Sequence, residues 1–185
     1  KDIMLYLAGK YGDDFASNKS IEYTGSLVSQ LSVESRTCLA AHGVEVGCEF
    51  ALFPFDETTR DFLKTRTDKP YEPLVADPGA EYEKEIRLNI DEMPFVVAKP
   101  HQFGNVCPVD EVKGVRIDQA QIGSCANGRF EDIEIAARIL KGKKVAKGVR
   151  LIVSPASQAV YLQCLKAGLM EQLIGHIGQW CFGKR

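Results

Sequence analysis

An α/β fold built on a parallel sheet is predicted by three features of the chain. The last third runs strand, helix, strand, helix. The stretch 149–153 reads as a continuous apolar strand, as expected for a sheet covered on both faces. Residues 1–70 also alternate helix and strand signals, the pattern of an α/β layer.

The elements follow in order. Residues 1–12 form a predicted helix, with Asp2 near its start and Ile3, Met4, Leu7 and Ala8 on one face. A Gly/Asp turn leads to a strand at 21–25. Ser32 is placed to cap a helix that continues to Val46 and stops at Gly47. An apolar run at 50–55 comes next, and Asp56 then caps a polar helix extending to about Lys69.

Between Pro70 and Pro108 six prolines punctuate the chain, at 70, 73, 78, 94, 100 and 108. This texture predicts an extended crossing at 71–112, ordered by packing and leaving some apolar surface exposed, with one strand-like stretch at 82–90. The expected organisation is a partial α/β lobe at 1–70, the crossing at 71–112, and a βαβα unit at 113–185. In that last unit 115–122 is a strand and 123–128 a tight turn. A helix follows with Phe130, Ile133, Ala137 and Leu140 on one face, ended by Gly142. After the strand at 149–153, Ser157 caps a helix whose stripe is Leu162, Leu165, Leu169 and Leu173. Strand, helix and strand of this size imply a right-handed parallel unit.

Composition narrows the function classes. The 185 residues carry 23 basic and 25 acidic side chains, a net charge of −2, so no global positive field exists to gather nucleic acid or anionic lipid. Neither class of partner is expected. No apolar run is long enough to span a bilayer. The basic cluster Lys141, Lys143, Lys144, Lys147 and Arg150 falls where a helix ends and a loop leads into a strand; it reads as a solvated loop.

The six cysteines lack any C-x-x-C pair and the three histidines are scattered, so neither a disulfide framework nor a complete zinc signature is present. Cys38, Cys48, Cys107 and Cys164 are read as small buried hydrophobes in a reducing cytoplasm. Cys125 is different, because it sits in Gly123-Ser124-Cys125-Ala126-Asn127-Gly128 at the end of a predicted parallel strand. Ligands bind beyond such ends, and unpaired N–H groups there favour thiolate. Three roles fit: a metal or cluster ligand, a nucleophile, or a buried thiol in a convenient turn. A nucleophile needs a positioned base, and none of His42, His101 or His176 is close in sequence.

Ile122-Gly123-Ser124-Cys125-Ala126-Asn127-Gly128-Arg129 resembles the I-G-S-C-T-N-G-R signature of the aconitase superfamily. The likeness continues through Glu131-Asp132, Ala136-Ala137 and Lys141-Gly142-Lys143-Lys144-Val145. It includes Ile21-Glu22-Tyr23-Thr24-Gly25, Phe53-Pro54-Phe55-Asp56-Glu57, Asp77-Pro78-Gly79-Ala80-Glu81-Tyr82 and Pro155-Ala156-Ser157. Together these segments resemble the 3-isopropylmalate dehydratase large-subunit branch in one register. The resemblance implies an aconitase-like three-layer α/β/α fold, here partial. It also implies a hydro-lyase that dehydrates and rehydrates a hydroxy-di- or tricarboxylate such as isopropylmalate, with a role in leucine biosynthesis. The implied cofactor is a [4Fe–4S] cluster whose open iron acts as Lewis acid, and the implied partner is a small swivelling subunit that brings the base. By resemblance Cys125 is the first cluster ligand and Glu22 an active-site carboxylate. Ser124, Asn127 and Arg129 are substrate- or cluster-contacting candidates, Asn127 also being readable as a helix cap.

Two departures qualify this. The signature threonine is Ala126, and no P-G-C-x-x-C segment with further ligands occurs in the tail that contains Cys181. Cys181 therefore receives no ligand role. With Lys at position 1, the chain is expected to be an internal portion that neither assembles a stable cluster nor turns over substrate alone. The alternatives are a homoaconitase- or aconitase-like hydratase and a decayed, non-catalytic binding relative.

Overall fold

The computed structural model describes residues 1–176. They form two compact units, Lys1–Val112 and a second beginning at Lys113.

In the first unit α1 (Asp2–Tyr11) buries Met4, Leu7 and Ala8 against Ala16, Leu39 and Val46. The strand expected at 21–25 lies slightly earlier, as β1 (Lys19–Glu22), and pairs in parallel with β2 (Cys48–Leu52). Between them a short helix α2 (Ser26–Gln30) precedes α3 (Val33–Ala41). Ser32 caps α3 as expected, accepting from the Ser35 N–H at 3.0 Å. The helix stops at Ala41 and tightens into a 3₁₀ turn, His42–Val46, before Gly47. Asp56 caps α4 (Glu57–Lys64), which is shorter than its polar run suggested.

Arg36 locks these pieces together. It is 3% exposed, and its guanidinium donates to both carboxylate oxygens of Asp56, to Thr59 Oγ1 and to the carbonyls of Val28 and Leu31. Every N–H of the fork has a partner, which is what permits burial of the charge. Arginine beside it holds the Asp56 carboxyl down at about 2.

The strand expected at 82–90 does not form. Ile86 and Leu88 reach the core while Glu85 and Arg87 stay exposed, which produces the alternation of a strand from 85 to 88. No ladder accompanies it; side chains alone dock the segment, and only a 3₁₀ turn, Ile90–Glu92, is regular. The ordered strands of this region are instead β3 (Val96–Ala98) and β4 (Val106–Pro108), an antiparallel pair against α1. Gly9 allows that approach, since a Cβ there would stand 2.7 Å from Val106 Cβ. Apolar surface does remain open, with Leu74 88% and Val75 80% exposed.

In the second unit β5 (Gln119–Gly123) and β6 (Arg150–Ser154) pair in parallel, joined through α5 (Ser124–Asn127) and α6 (Phe130–Leu140). The predicted β-α-β order is therefore present, although β5 starts four residues after Val115. No residue of β6 is fully buried, contrary to the expectation of a strand covered on both faces. Ile122 and Val153 pack on a core of Ile133, Ala137, Cys164, Leu169, Met170 and Leu173.

The helix predicted from Ser157 is capped as expected, its hydroxyl accepting from the Val160 N–H at 3.2 Å, but it is two helices. These are α7 (Gln158–Lys166) and α8 (Leu169–His176), broken at Gly168, whose φ of 71° is left-handed. The break also rotates the buried face. Leu162 and Leu165 are exposed and Cys164 is buried in their place, while Leu169 and Leu173 remain in the core. Cys181 and the tail from Gly178 lie outside the described residues. No helix among the described residues is long and apolar enough to cross a membrane.

Candidate functional site

The turn that follows β5 is shaped by glycines packed against backbone. Gly123 has φ 118°, and a Cβ there would lie 2.0 Å from the Ser154 carbonyl oxygen. Gly128 is equally confined, with a Cβ position 2.4 Å from Ser124 O, and its own carbonyl accepts from the Ala156 N–H at 2.8 Å. Ser124 itself takes a left-handed φ of 75°. A serine in that region costs on the order of 1 kcal/mol, which the surrounding contacts must offset. The result is a single helical turn displaying Ser124 and Cys125 to solvent at the carboxyl end of the β5–β6 pair.

Cys125 is exposed, which removes the buried-thiol reading. Cys38, Cys107 and Cys164 are buried as expected, whereas Cys48 is only half-buried and its thiol lies 2.9 Å from Phe50 O. Ser124 Oγ is 3.8 Å from Cys125 Sγ. Arg129 lies half-buried beside the turn, its Nη2 at 3.5 Å from Cys125 O.

Asn127 is not the cap of α6; Arg129 occupies that position. The side chain that organises the turn is Asp132, which the sequence reading includes in the family likeness without giving it a role. One of its oxygens accepts from the Arg129 N–H at 3.0 Å and the other from Asn127 Nδ2 at 3.4 Å. The usual signal for such a helix start is Ser or Thr at the cap with an acid three residues on, and Arg at the cap hides it. Asn127 Oδ1 and Arg129 Nε are buried and lack hydrogen-bond partners. An unsatisfied buried acceptor and donor are costly, about 1–3 kcal/mol each, and both occur beside the exposed thiol.

Glu22 belongs to the first unit. It ends β1, at the carboxyl end of the other parallel pair, and its exposed carboxylate accepts from Tyr82 Oη at 2.6 Å through Oε2. The phenol is held above the ordinary tyrosine range by this bond. Tyr82 is 60 residues away in sequence, so no local pattern announces the pair.

Of the histidines weighed as bases, His42 is buried, with Nδ1 2.7 Å from Cys38 O, and burial lowers its pKa. Its proton is therefore assigned to Nδ1. Among the described residues no three His, Cys, Asp or Glu side chains come together as a metal-binding group. Within this stretch the fit to a cluster is that of one ligand: an exposed thiol, a neighbouring hydroxyl, and unsatisfied polar atoms behind them.

Comparison with known proteins gives one consistent answer. The profile described as "Aconitase family (aconitate hydratase)" matches residues 1–114 and 108–181. The chain is 46% identical over 174 residues to a 3-isopropylmalate dehydratase large subunit of Caldanaerobacter subterraneus subsp. tengcongensis, covering 94% of this chain and 41% of that protein. It is 47% identical to a probable methanogen homoaconitase large subunit of Methanosarcina mazei, covering 94% and 44%. With the 3-isopropylmalate dehydratase large subunit 2 of Archaeoglobus fulgidus the identity is 45%, covering 94% and 42%. The chain thus spans about two fifths of the length of the curated relatives it matches.

Proposed function

The chain belongs to the aconitase family, and from that premise we propose that it is part of a hydro-lyase large subunit that removes water from, and returns it to, a hydroxy-di- or tricarboxylate of the isopropylmalate type. The observation that carries the proposal is the exposed Cys125 thiol on a glycine-shaped turn, backed by the unsatisfied Asn127 Oδ1 and Arg129 Nε.

Cys125 is the residue that would hold a [4Fe–4S] cluster, as one of its ligands. When bound, such a cluster supplies a Lewis-acidic iron that makes a hydroxyl a better leaving group. The chain's own residues on the same turn would supply binding beside it. Arg129 suits a substrate carboxylate, because a guanidinium fork matches two carboxylate oxygens. Ser124 Oγ, turned to solvent beside the thiol, is a donor for cluster sulfur or substrate oxygen. Asn127 is carried over by resemblance as a substrate or cluster contact; its Nδ2 is bonded to Asp132 and its Oδ1 is buried behind the thiol. In the first unit, Glu22 takes by resemblance the active-site carboxylate role: Oε2 is engaged by Tyr82, and Oε1 is the oxygen left to face a substrate proton.

The proton-abstracting base and the remaining cluster ligands are assigned to parts outside this stretch, the base to a small swivelling subunit. Free thiols at all five described cysteines suit the cytoplasm, a reducing compartment. A homoaconitase-type substrate is the second reading, favoured by the 47% identity to a relative so named.

The test is an assay of the intact large subunit with its small subunit on isopropylmalate and, in parallel, on a homoaconitase substrate. Activity on the first that is lost in Cys125→Ser and Glu22→Gln is expected. Full activity in Cys125→Ser would overturn the proposal.

A further inference from the structure

We propose that Tyr82 is a positioning residue for Glu22, fixing which carboxylate oxygen faces the substrate; this rests on the reading of Glu22 as an active-site carboxylate. The geometry goes beyond a chance surface contact in three respects. The phenol donates to Oε2 at 2.6 Å, a short charge-assisted bond. The next residue is also tied to β1, since Lys19 Nζ lies 2.5 Å from Glu83 Oε1. A few residues further on, Ile86 and Leu88 pack on the same core cluster as Ile21 and Tyr23, the neighbours of Glu22.

The irregular segment 82–88 is therefore held to β1 by Tyr82 and Glu83 and to the core by Ile86 and Leu88, and Tyr82 meets Glu22 at the strand's carboxyl end. Glu22 is exposed, and a free glutamate in solvent samples several rotamers. A phenol held by a docked segment removes that freedom from one oxygen while leaving Oε1 without a described partner. Tyr82 reaches only Oε2, so it acts through Glu22 and not on the substrate.

A double-mutant cycle in the intact enzyme tests the inference, with phenol titration of this chain as a readout independent of activity. Tyr82→Phe keeps the ring and removes the donor. It is expected to lower kcat about tenfold with KM nearly unchanged. Glu22→Gln is expected to lower kcat by about a thousandfold, leaving a measurable rate, and adding Tyr82→Phe to it to cost nothing more. In the titration, followed as the difference from Tyr82→Phe, the Tyr82 phenol should ionise at lower pH once Glu22 is Gln. Unchanged kcat in Tyr82→Phe, or unchanged Tyr82 ionisation in Glu22→Gln, overturns the role of Tyr82 alone. Full activity in Glu22→Gln instead overturns the underlying reading of Glu22 and takes this one with it.

Discussion

The Ser154 carbonyl oxygen at the end of β6 stands 2.0 Å from the point where a Cβ on Gly123 would be. Two parallel strands are thus pressed together by backbone at the place where the Cys125 turn begins. No side chain fits there, and the φ of 118° excludes one independently. Gly123→Ala is expected to destabilise the second unit by about 2 kcal/mol or more. Urea denaturation followed by circular dichroism reads this, and a change under about 0.5 kcal/mol would contradict the packing described.

The leucines of α7 and α8 give a contrasting pair. Leu173 is 1% exposed in the core, whereas Leu162 is 55% exposed. Leu173→Ala should cost about 2–4 kcal/mol and Leu162→Ala about 0.5 kcal/mol or less. Equal costs in urea denaturation would restore the single-helix stripe that the sequence suggests.

That stripe shows where pattern reading fails. Leucines at Leu162, Leu165, Leu169 and Leu173 keep helical spacing, but Gly168 restarts the helix in a new phase. The pattern was legible; the break was a single left-handed glycine inside it. At 82–90 the opposite occurred, alternation without a ladder, because burial of Ile86 and Leu88 needs only side-chain docking. The caps at Ser32, Asp56 and Ser157 were readable because each depends on neighbouring residues alone, and the parallel β5–β6 pair because strand, helix and strand follow one another in sequence.

Arg36 and Asp56 predict an acid-sensitive first unit. Asp56 is depressed to about 2, so its ion pair contributes stability that is present above the unfolded carboxyl value of about 4 and is lost as pH falls toward 2. With its side chain 29% exposed, screening trims the contribution to about 1–2 kcal/mol. Asp56→Asn keeps a good cap yet leaves the Arg36 side chain, 4% exposed, without its counter-charge. The variant should lose about 2–3 kcal/mol at neutral pH and show a flatter stability profile between about pH 4 and 2. A wild-type profile in Asp56→Asn would contradict the pairing.

Exposure separates Cys125 from its fellow thiols. Under native conditions iodoacetamide should modify Cys125 ahead of the buried Cys38, Cys107 and Cys164, as peptide mass mapping would show. Cys125→Ser should leave the urea midpoint of the chain within error, since an exposed thiol contributes little packing. Preferential labelling of Cys164 would place the turn differently.

The candidate site was legible to the extent that its residues are contiguous. Ser124, Cys125, Asn127 and Arg129 all fall on one turn, as their spacing requires. The capping role of Asp132 was missed because Arg129 sits at the cap where Ser or Thr would have signalled it. Tyr82 was missed because its partner Glu22 is distant in sequence, and only the docked segment brings them together.

The most direct test of the account is anaerobic iron–sulfide reconstitution of the intact large subunit, with iron and acid-labile sulfide measured per polypeptide. Wild type should take up a stoichiometric cluster, and Cys125→Ser should lose most of it while remaining folded. A Cys125→Ser protein that binds as much iron and sulfide as wild type would contradict the assignment of this thiol as a cluster ligand.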